Sequence, residues 1–184
     1  MRKEIEVKAK LINPEEVVDK LKELGCILSV PIVQHDTIFV DSNFGVFDEF
    51  HTDVNILRIR ETGERFLLTL KQPKSNELDV IEHETEVQDA GEMEEILHYM
   101  GFHEVVQVHK TRSKSQYNDW EICIDEVEGL GTFIEVERIA DDSNAEAIQN
   151  ELFEFLKSLG IRPEDRVING YDTLVYRKSK AQEK

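Results

Sequence analysis

Charged residues alternate with apolar ones near the start of the chain, in the segment Glu4-Ile5-Glu6-Val7-Lys8. In a β-strand successive side chains point to opposite faces, so Glu4, Glu6 and Lys8 would share one face. Two carboxylates about 7 Å apart, with a lysine next in line, suit a divalent cation held beside an anionic ligand. A single segment of this kind is more typical of a half-exposed strand whose polar side faces water. Recurrence of the pattern is therefore what indicates a site.

The same alternation recurs in later segments that have the composition of strands. In Leu57-Arg58-Ile59-Arg60 two arginines alternate with aliphatic residues, and the next strand along the chain ends at Lys71. The other charged positions in such segments are Glu82 and Glu84, Lys110 and Arg112, Asp125, and Glu135 and Glu137. One face of strand after strand is thus charged, while the opposite face is apolar.

The pattern of elements predicts an α+β fold that is mainly β. Seven or eight evenly spaced strands and three amphipathic helices favour an antiparallel sheet or barrel. If the strands close, the helices cover an apolar outer surface and the charged faces line the lumen. We predict a lid-like loop over residues 41–55 and a possible edge strand at Tyr171–Tyr176 near the C-terminal end.

Composition limits the class of protein and its partners. The 184 residues are 40% hydrophobic and 33% charged, which is typical of one globular domain; we assign it to residues 1–178 and expect a disordered tail at 179–184. The net charge of −17 argues against nucleic-acid binding. No apolar run approaches the length of a membrane span. Cys26 and Cys123 form neither a disulfide framework nor a metal-ligand spacing, which favours a cytoplasmic protein.

A lumen lined by both acidic and basic side chains favours a ligand that carries both positive and negative charges. Enclosing charged groups costs several kcal/mol per ion, on the order of magnitude usual for protein interiors, unless each is paired. A complex of a metal with a polyphosphate meets this need, because phosphates bind lysine and arginine whereas Mg²⁺ or Mn²⁺ binds carboxylate oxygens. The residues alone thus predict a charged tunnel for a metal-bound polyphosphate.

The order of these motifs resembles the CYTH superfamily, the triphosphate tunnel metalloenzymes. Glu4-Ile5-Glu6-Val7-Lys8 matches its ExExK signature, and the resemblance extends from residue 2 to about residue 160. The later matching segments are Gln34-His35-Asp36-Thr37, Leu57-Arg58-Ile59-Arg60, Thr69-Leu70-Lys71, Glu82-His83-Glu84, Lys110-Thr111-Arg112, the run 125–131 and Phe133-Ile134-Glu135-Val136-Glu137. The last three segments are most similar to the class IV adenylate cyclase branch.

This resemblance implies a closed or nearly closed eight-stranded antiparallel barrel, a homodimer and a divalent metal, Mg²⁺ or Mn²⁺, in the lumen. It implies that Glu4, Glu6, Lys8 and Lys71 are catalytic and that Glu82 and Glu84 are possible additional acids of the lumen. The implied triphosphate-binding residues are Lys8, Arg58, Arg60, Lys71, Lys110 and Arg112. The implied metal ligands are Glu4, Glu6, Asp125, Glu135 and Glu137.

Three functions are compatible with such a site. The favoured hypothesis is metal-dependent phosphoryl transfer on a nucleoside triphosphate, and the resemblance to the class IV branch favours the conversion of ATP to cyclic AMP and pyrophosphate. The alternative is hydrolysis of thiamine triphosphate or inorganic triphosphate. A third hypothesis is a module that binds a nucleotide or polyphosphate without catalysis. No serine or cysteine nucleophile with an activating base is evident, so a covalent intermediate is not predicted.

Overall fold

The protein is described from a computed structural model that covers residues 2–141 and 144–182. The strands are β1 (Arg2–Lys10), β2 (Ile32–Asp41), β3 (Ile56–Thr62), β4 (Arg65–Pro73), β5 (Asp79–Val87), β6 (Phe102–Tyr117), β7 (Trp120–Val127), β8 (Gly131–Asp141) and β9 (Arg166–Val167). The helices are α1 (Pro14–Glu23), α2 (Ala90–Tyr99), α3 (Ala145–Ser158) and α4 (Tyr171–Gln182). In this part of the chain no helix has both the length and the apolarity that a bilayer crossing needs.

Eight of the strands form a closed antiparallel barrel in the order β1-β8-β7-β6-β2-β3-β4-β5. The barrel closes where β5 returns to β1, with Glu4 opposite Val80 and Ile5 opposite Asp79. Farther along the same edge of β1, the short strand β9 takes the place of β5 as the pairing partner. The predicted eight-stranded barrel is confirmed, and β9 is an additional strand outside it.

The closure between β1 and β5 is supported from outside by a side chain of α3. The amide nitrogen of Glu6 donates to the carbonyl of Leu78 (2.8 Å), which extends the pairing by one hydrogen bond. The side-chain amide of Gln149 donates to the carbonyls of Glu6 (3.0 Å) and Leu78 (3.4 Å). An α3 side chain therefore bonds both strands at the seam.

The apolar faces of the strands point outward and are covered by helices, as predicted. Ile5 and Val7 are fully buried on the outside of β1, where they pack with Leu21 of α1 and with Leu152 and Leu156 of α3. Burial of each such side chain stabilises the fold by about 1.5–3 kcal/mol. Because these residues occupy the outside of β1, the alternation of the strand directs Glu4, Glu6 and Lys8 into the lumen.

A second helix covers the opposite side of the barrel. Leu97 of α2 packs against Phe39 of β2 and against Leu57 and Ile59 of β3. The helix begins after Asp89, whose carboxylate accepts a hydrogen bond from the amide of Glu92 (3.0 Å). Leu57 and Ile59 alternate with Arg58 and Arg60, so this packing directs the two arginines inward.

The predicted edge strand at Tyr171–Tyr176 is wrong, because these residues begin helix α4. Their β-branched and aromatic side chains favour a strand, but tertiary contacts outweigh that preference. Val175 packs against the apolar residues of β2 and β6, and Lys178 bonds the carbonyl of Gly129 in the β7–β8 turn. The predicted boundary of the tail at 179 falls inside α4, which continues to Gln182, and residues 183–184 of that tail lie outside the described part of the chain.

Candidate active site

The barrel encloses a cavity of about 240 Å³ whose wall is mostly charged. All but one of the charged residues singled out in the sequence line this cavity. The exception is Asp125, which is fully buried behind Arg112. Lining positions among the predicted residues are Glu4, Glu6, Lys8, Arg58, Arg60, Lys71, Glu82, Glu84, Lys110, Arg112, Glu135 and Glu137.

The strand register sets which charged side chains are neighbours. On β1 and β8, Glu6 lies directly opposite Glu137, and Lys8 lies opposite Glu135. Side chains in such pairs have Cβ atoms about 4.5–5.5 Å apart and interact directly. Glu121 of β7 lies opposite Glu137 in turn, so three carboxylates form one row across three strands. One row of the lumen wall is therefore wholly acidic, and the next contains a lysine.

Burial and mutual repulsion perturb the pKa of three acids in the lumen. Burial, helped by the nearby Glu82, raises the pKa of Glu4 to about 7. Burial and the charge of Glu135 raise the pKa of Glu6 to about 8. Burial and Glu4 raise the pKa of Glu137 to about 7. These acids lack enough nearby positive charge, whereas a divalent cation would supply it.

Two of the predicted metal ligands, in contrast, are bound by Arg112. Its guanidinium donates to Asp125 from Nε (2.7 Å) and from a terminal nitrogen, and the same terminal nitrogen also donates to Glu135. Lys8, which is 2% exposed, places its Nζ 3.2 Å from both Glu6 and Glu135. Burial opposes ionisation of Glu135, but Arg112 and Lys8 hold its pKa well below the ordinary 4.5. The five predicted metal ligands are thus not equivalent.

The arginines of β3 are held by acids on neighbouring strands. Arg60 forms a bidentate pair with Asp36 of β2, with both N–O distances at 2.7 Å. Arg58 donates to Thr69 (3.0 Å), Glu82 (3.2 Å) and Glu84 (3.2 Å). The two guanidiniums are therefore fixed across the lumen wall, with most of their surface buried.

Two lysines complete the basic part of the lumen. Lys71 pairs with Glu82 across β4 and β5. Lys110 lies 3.5 Å from Asp125, but burial and the adjacent Arg112 lower its pKa to about 8. Lys8 behaves differently, since burial favours deprotonation while Glu6 and Glu135 together raise its pKa above the ordinary value. The lumen thus contains a lysine whose positive charge is poorly compensated, which suits an added anion.

One part of the cavity wall is apolar. Phe44, Phe47 and Phe50 of the segment between β2 and β3 line the cavity, together with Ile38 and Ile56 at the adjoining strand ends. Phe47 is buried against Tyr176 of α4, with ring centroids 5.2 Å apart, whereas Phe50 is 45% exposed. The loop predicted over 41–55 therefore contributes aromatic surface to the same cavity as the charged strands.

The acidic row has the donor chemistry of a divalent-metal site. Glu6 and Glu137 of this row, with Glu4 beside Glu6 on the same face of β1, offer carboxylate oxygens, which are the ligands that Mg²⁺ and Mn²⁺ prefer. Burial and neighbouring carboxylates raise the pKa of all three acids, an effect that a bound cation would oppose. Within residues 2–141 and 144–182, no three acidic, histidine or cysteine side chains are already close enough to hold a metal ion. Small side-chain movements within the row would be needed for shared coordination.

Besides Glu121 of the acidic row, sequence patterns did not identify three further residues of the site. Asp36 belongs to one of the matching motifs but was not predicted as a site residue. The alternation of side chains along β2 places it on the luminal face, opposite Arg60 of β3. Glu77 and Tyr171 also line the cavity, but they lie in a loop and at the start of a helix. Strand alternation carries no information about either position, so only the tertiary structure reveals them.

Comparisons with known proteins agree with the barrel and its motifs. The chain is 34% identical over 173 residues to a Methanocaldococcus jannaschii protein named "Putative adenylate cyclase", covering 91% of this chain and 95% of that protein. The structure is similar to a Pyrococcus horikoshii protein, with a TM-score of 0.78 and 29% identity over 95% of this chain and 99% of the other.

The third comparison concerns the fold alone. The Hippeastrum protein described as "Putative adenylyl cyclase HpAC1", with "a dominant triphophatase activity", superposes with a TM-score of 0.63 at 21% identity, over 97% of this chain and 96% of that one.

A family model described as the CYTH domain matches residues 2–171. Since that match spans nearly the whole chain and includes every strand of the barrel, the chain belongs to the CYTH domain family.

Proposed function

We propose that the protein is a metal-dependent phosphoryl-transfer enzyme that acts on a nucleoside triphosphate, with the conversion of ATP to cyclic AMP and pyrophosphate as its favoured reaction. One observation carries this proposal: the same cavity is lined by the acidic row, by an aromatic surface (Phe44, Phe47 and Phe50) and by a basic wall. The basic wall consists of Lys8, Arg58, Arg60, Lys71, Lys110 and Arg112. These three surfaces match the phosphates, the metal and the organic group of a metal–nucleotide complex.

The basic side chains would bind the triphosphate chain. Arg58, Arg60 and Arg112 are fixed by carboxylates and can present their remaining N–H groups to phosphate oxygens without reorganisation. Lys110, with its lowered pKa, would gain a compensating negative charge. Lys71 would contribute a further cation from β4. This preorganisation is what phosphoryl transfer requires, since its catalysis is largely positioning and neutralisation of charge.

The acidic row would hold the metal. Glu4, Glu6 and Glu137 are the favoured ligands, because Asp125 and Glu135 are already engaged by Arg112. When bound, Mg²⁺ or Mn²⁺ supplies Lewis-acid polarisation of phosphate oxygens and neutralises charge on them. Asp125 and Glu135 then have a different role, which is to orient Arg112 and Lys8 toward the phosphates. We therefore divide the five predicted ligands into metal-binding and cation-positioning acids.

The reaction proposed for ATP is an in-line displacement. The ribose 3′-oxygen attacks the α-phosphorus, the bond from that phosphorus to the bridging oxygen breaks, and pyrophosphate leaves as the hydroxyl proton is released. The aromatic surface of Phe44 and Phe50 would hold the base and so turn the ribose toward the phosphates. Arg58, Arg60 and Arg112 would stabilise the charge that develops on the leaving pyrophosphate.

Triphosphate hydrolysis is the second candidate, favoured by the basic wall itself. The six predicted triphosphate-binding side chains would bind phosphates whether or not an organic group is attached, so inorganic triphosphate or thiamine triphosphate would also fit them. In that reaction water attacks the terminal phosphorus, and the bond from that phosphorus to its bridging oxygen breaks. Orthophosphate and the diphosphate are released, and the aromatic surface has no part in the chemistry.

A comparison of substrates tests the proposal. The purified protein is incubated with ATP, thiamine triphosphate or inorganic triphosphate, with Mg²⁺, Mn²⁺ or EDTA, and the products are separated by chromatography. Glu6→Gln, in the acidic row, is expected to abolish turnover, whereas Glu95→Gln on the exposed side of α2 makes the same change of charge and is expected to leave turnover intact.

The products decide between the candidates. Cyclic AMP and pyrophosphate from ATP would support the cyclase. Orthophosphate release without cyclic AMP would overturn it in favour of a triphosphatase. Tight metal-dependent binding with no turnover of any of the three would instead identify a non-catalytic binding module.

A further inference from the structure

Tyr171, the first residue of α4, lines the lumen from a helix and not from a strand of the barrel. It is 7% exposed, lines the cavity and packs against Phe133 of β8, with ring centroids 5.2 Å apart. Two lysine ammonium groups flank the ring: the Nζ of Lys8 lies 4.1 Å from its centroid and the Nζ of Lys110 lies 4.8 Å from it. The aromatic face thus meets two of the cations proposed to bind phosphate.

The hydroxyl of Tyr171 has no hydrogen-bond partner among the described residues. A buried hydroxyl left unpaired destabilises a protein, and such groups are usually satisfied by protein, water or ligand. Burial, together with the nearby Glu135 and Asp125, raises the pKa of this phenol well above the ordinary value of 10. The group therefore stays protonated and is available as a hydrogen-bond donor.

The position of Tyr171 is fixed by Glu77, in the loop between β4 and β5. One carboxylate oxygen of Glu77 accepts from the amide of Gly170 (2.8 Å) and the hydroxyl of Thr173 (3.0 Å), and the other accepts from the side chain of Asn169 (2.8 Å). Glu77 thus already occupies the N-terminal end of α4. The backbone of that helix end is therefore not a free anion site, and the donor offered to the lumen is the phenol.

We propose that the Tyr171 hydroxyl donates a hydrogen bond to a phosphate oxygen of the bound triphosphate, between Lys8 and Lys110. This inference rests on the proposed function and adds a substrate-contacting residue from outside the barrel strands. An anionic oxygen is the favoured acceptor, because the charge of the adjacent Lys110 is poorly compensated by its neighbours and a hydroxyl bonds strongly to an anionic oxygen. Glu77 is then a positioning residue, since it acts through the start of α4.

Binding of inorganic triphosphate to the Tyr171→Phe variant tests the inference. This substitution removes the hydroxyl and keeps the ring. Isothermal titration calorimetry is done in EDTA and again with Mg²⁺, beside the Tyr117→Phe variant as a control. Tyr117 stacks on Phe155 outside the barrel, with ring centroids 5.0 Å apart, and does not line the cavity. We expect Tyr171→Phe to weaken triphosphate binding about tenfold and Tyr117→Phe to leave it within about twofold, as loss of one hydrogen bond to a charged group implies.

Thermal unfolding of the free protein separates binding from a purely structural role. Because the hydroxyl is unpaired in the free protein, Tyr171→Phe is expected to unfold at the same or a higher temperature, while stabilisation by added triphosphate becomes smaller. A lowered unfolding temperature with unchanged triphosphate affinity would overturn the inference and leave the proposed function standing. Failure of the unaltered chain to bind triphosphate in either buffer would overturn both.

Discussion

Removal of the Glu6 carboxylate is expected to stabilise the metal-free protein at alkaline pH. Glu6 lies in the lumen opposite Glu137, and its pKa is about 8 in the folded state, compared with an ordinary 4.5. The folded state therefore holds the proton more tightly than the unfolded state does. This group contributes stability that is complete below about pH 4.5 and is lost as the pH rises toward about 8.

The size of the effect follows from the pKa. The folded and unfolded pKa values of Glu6 differ by about 3.5, and each pKa unit corresponds to about 1.36 kcal/mol. The free energy of unfolding therefore falls by about 5 kcal/mol across that pH range. Glu6→Gln abolishes this loss but also removes one of the two carboxylates paired with Lys8. We therefore expect the free energy of unfolding at about pH 8.5 to rise by about 2–5 kcal/mol, with little change at about pH 5.

Urea unfolding measured across this pH range checks the expectation. Trp120, the only tryptophan in the chain, packs on Phe155 of α3 and provides the fluorescence signal. In EDTA the unaltered protein should lose stability from about pH 5 to about pH 8.5, and Glu6→Gln should lose less. Adding Mg²⁺ or Mn²⁺ at the alkaline end should stabilise the unaltered protein and have a smaller effect on the variant, because a ligand of the metal is gone.

Glu95→Gln is the matched control, since it removes the same charge from an exposed position on α2. Its unfolding curve should follow that of the unaltered protein at every pH. The reasoning is refuted if Glu6→Gln is less stable than the unaltered protein at about pH 8.5 in EDTA, or if both show the same pH dependence.

Three further substitutions are predicted to lower stability, each measured by urea unfolding at neutral pH. Arg112→Met leaves Asp125 and Glu135 buried without their main cation and should cost about 3–5 kcal/mol, a loss that shrinks in acid as Glu135 becomes protonated. Asp36→Asn should cost a similar amount, about 3–5 kcal/mol. Burial raises the pKa of Asp36, but hydrogen bonds from Arg60 hold it below the ordinary 3.8, so the contribution of this pair is lost as the pH falls below that value. Leu156→Ala removes a fully buried side chain beneath α3 and should cost about 2–5 kcal/mol at any pH.

Alternation along the strands was sufficient to predict which residues face the lumen. A strand has a period of two, so the apolar Ile5 and Val7 determine the orientation of Glu6 and Lys8 without any knowledge of the fold. The charged luminal residues that lie on strands could therefore be assigned from their own strands, whereas Glu77 and Tyr171 could not. The strand pattern predicted an antiparallel sheet or barrel, and the resemblance to the CYTH superfamily implied that it is closed, which the structure confirms.

Pairing between strands could not be predicted in the same way. The neighbours of Glu137 are Glu6 and Glu121, which depends on strand order and register rather than on local sequence. For this reason Asp125 and Glu135, which are bound by Arg112, could not be distinguished by sequence from the acids whose pKa is raised. Helix α4 was also missed, because its start is specified by the distant Glu77.

The seam between β1 and β5 is the part of the barrel wall where the fewest paired residues hold neighbouring strands together. β1 pairs with β8 along its whole length but with β5 only from Glu4 to Ile5 in the register described. Separating any other pair of neighbouring strands in the barrel would break a long series of backbone hydrogen bonds. Fluctuations that widen the barrel therefore concentrate between β1 and β5. Because Gln149 bonds both sides of it, the rigidity of the ring is set in part by the docking of α3 on the outside. The acids at the seam can thereby adjust their spacing around a ligand while the arginines of β3 and β6 stay in place.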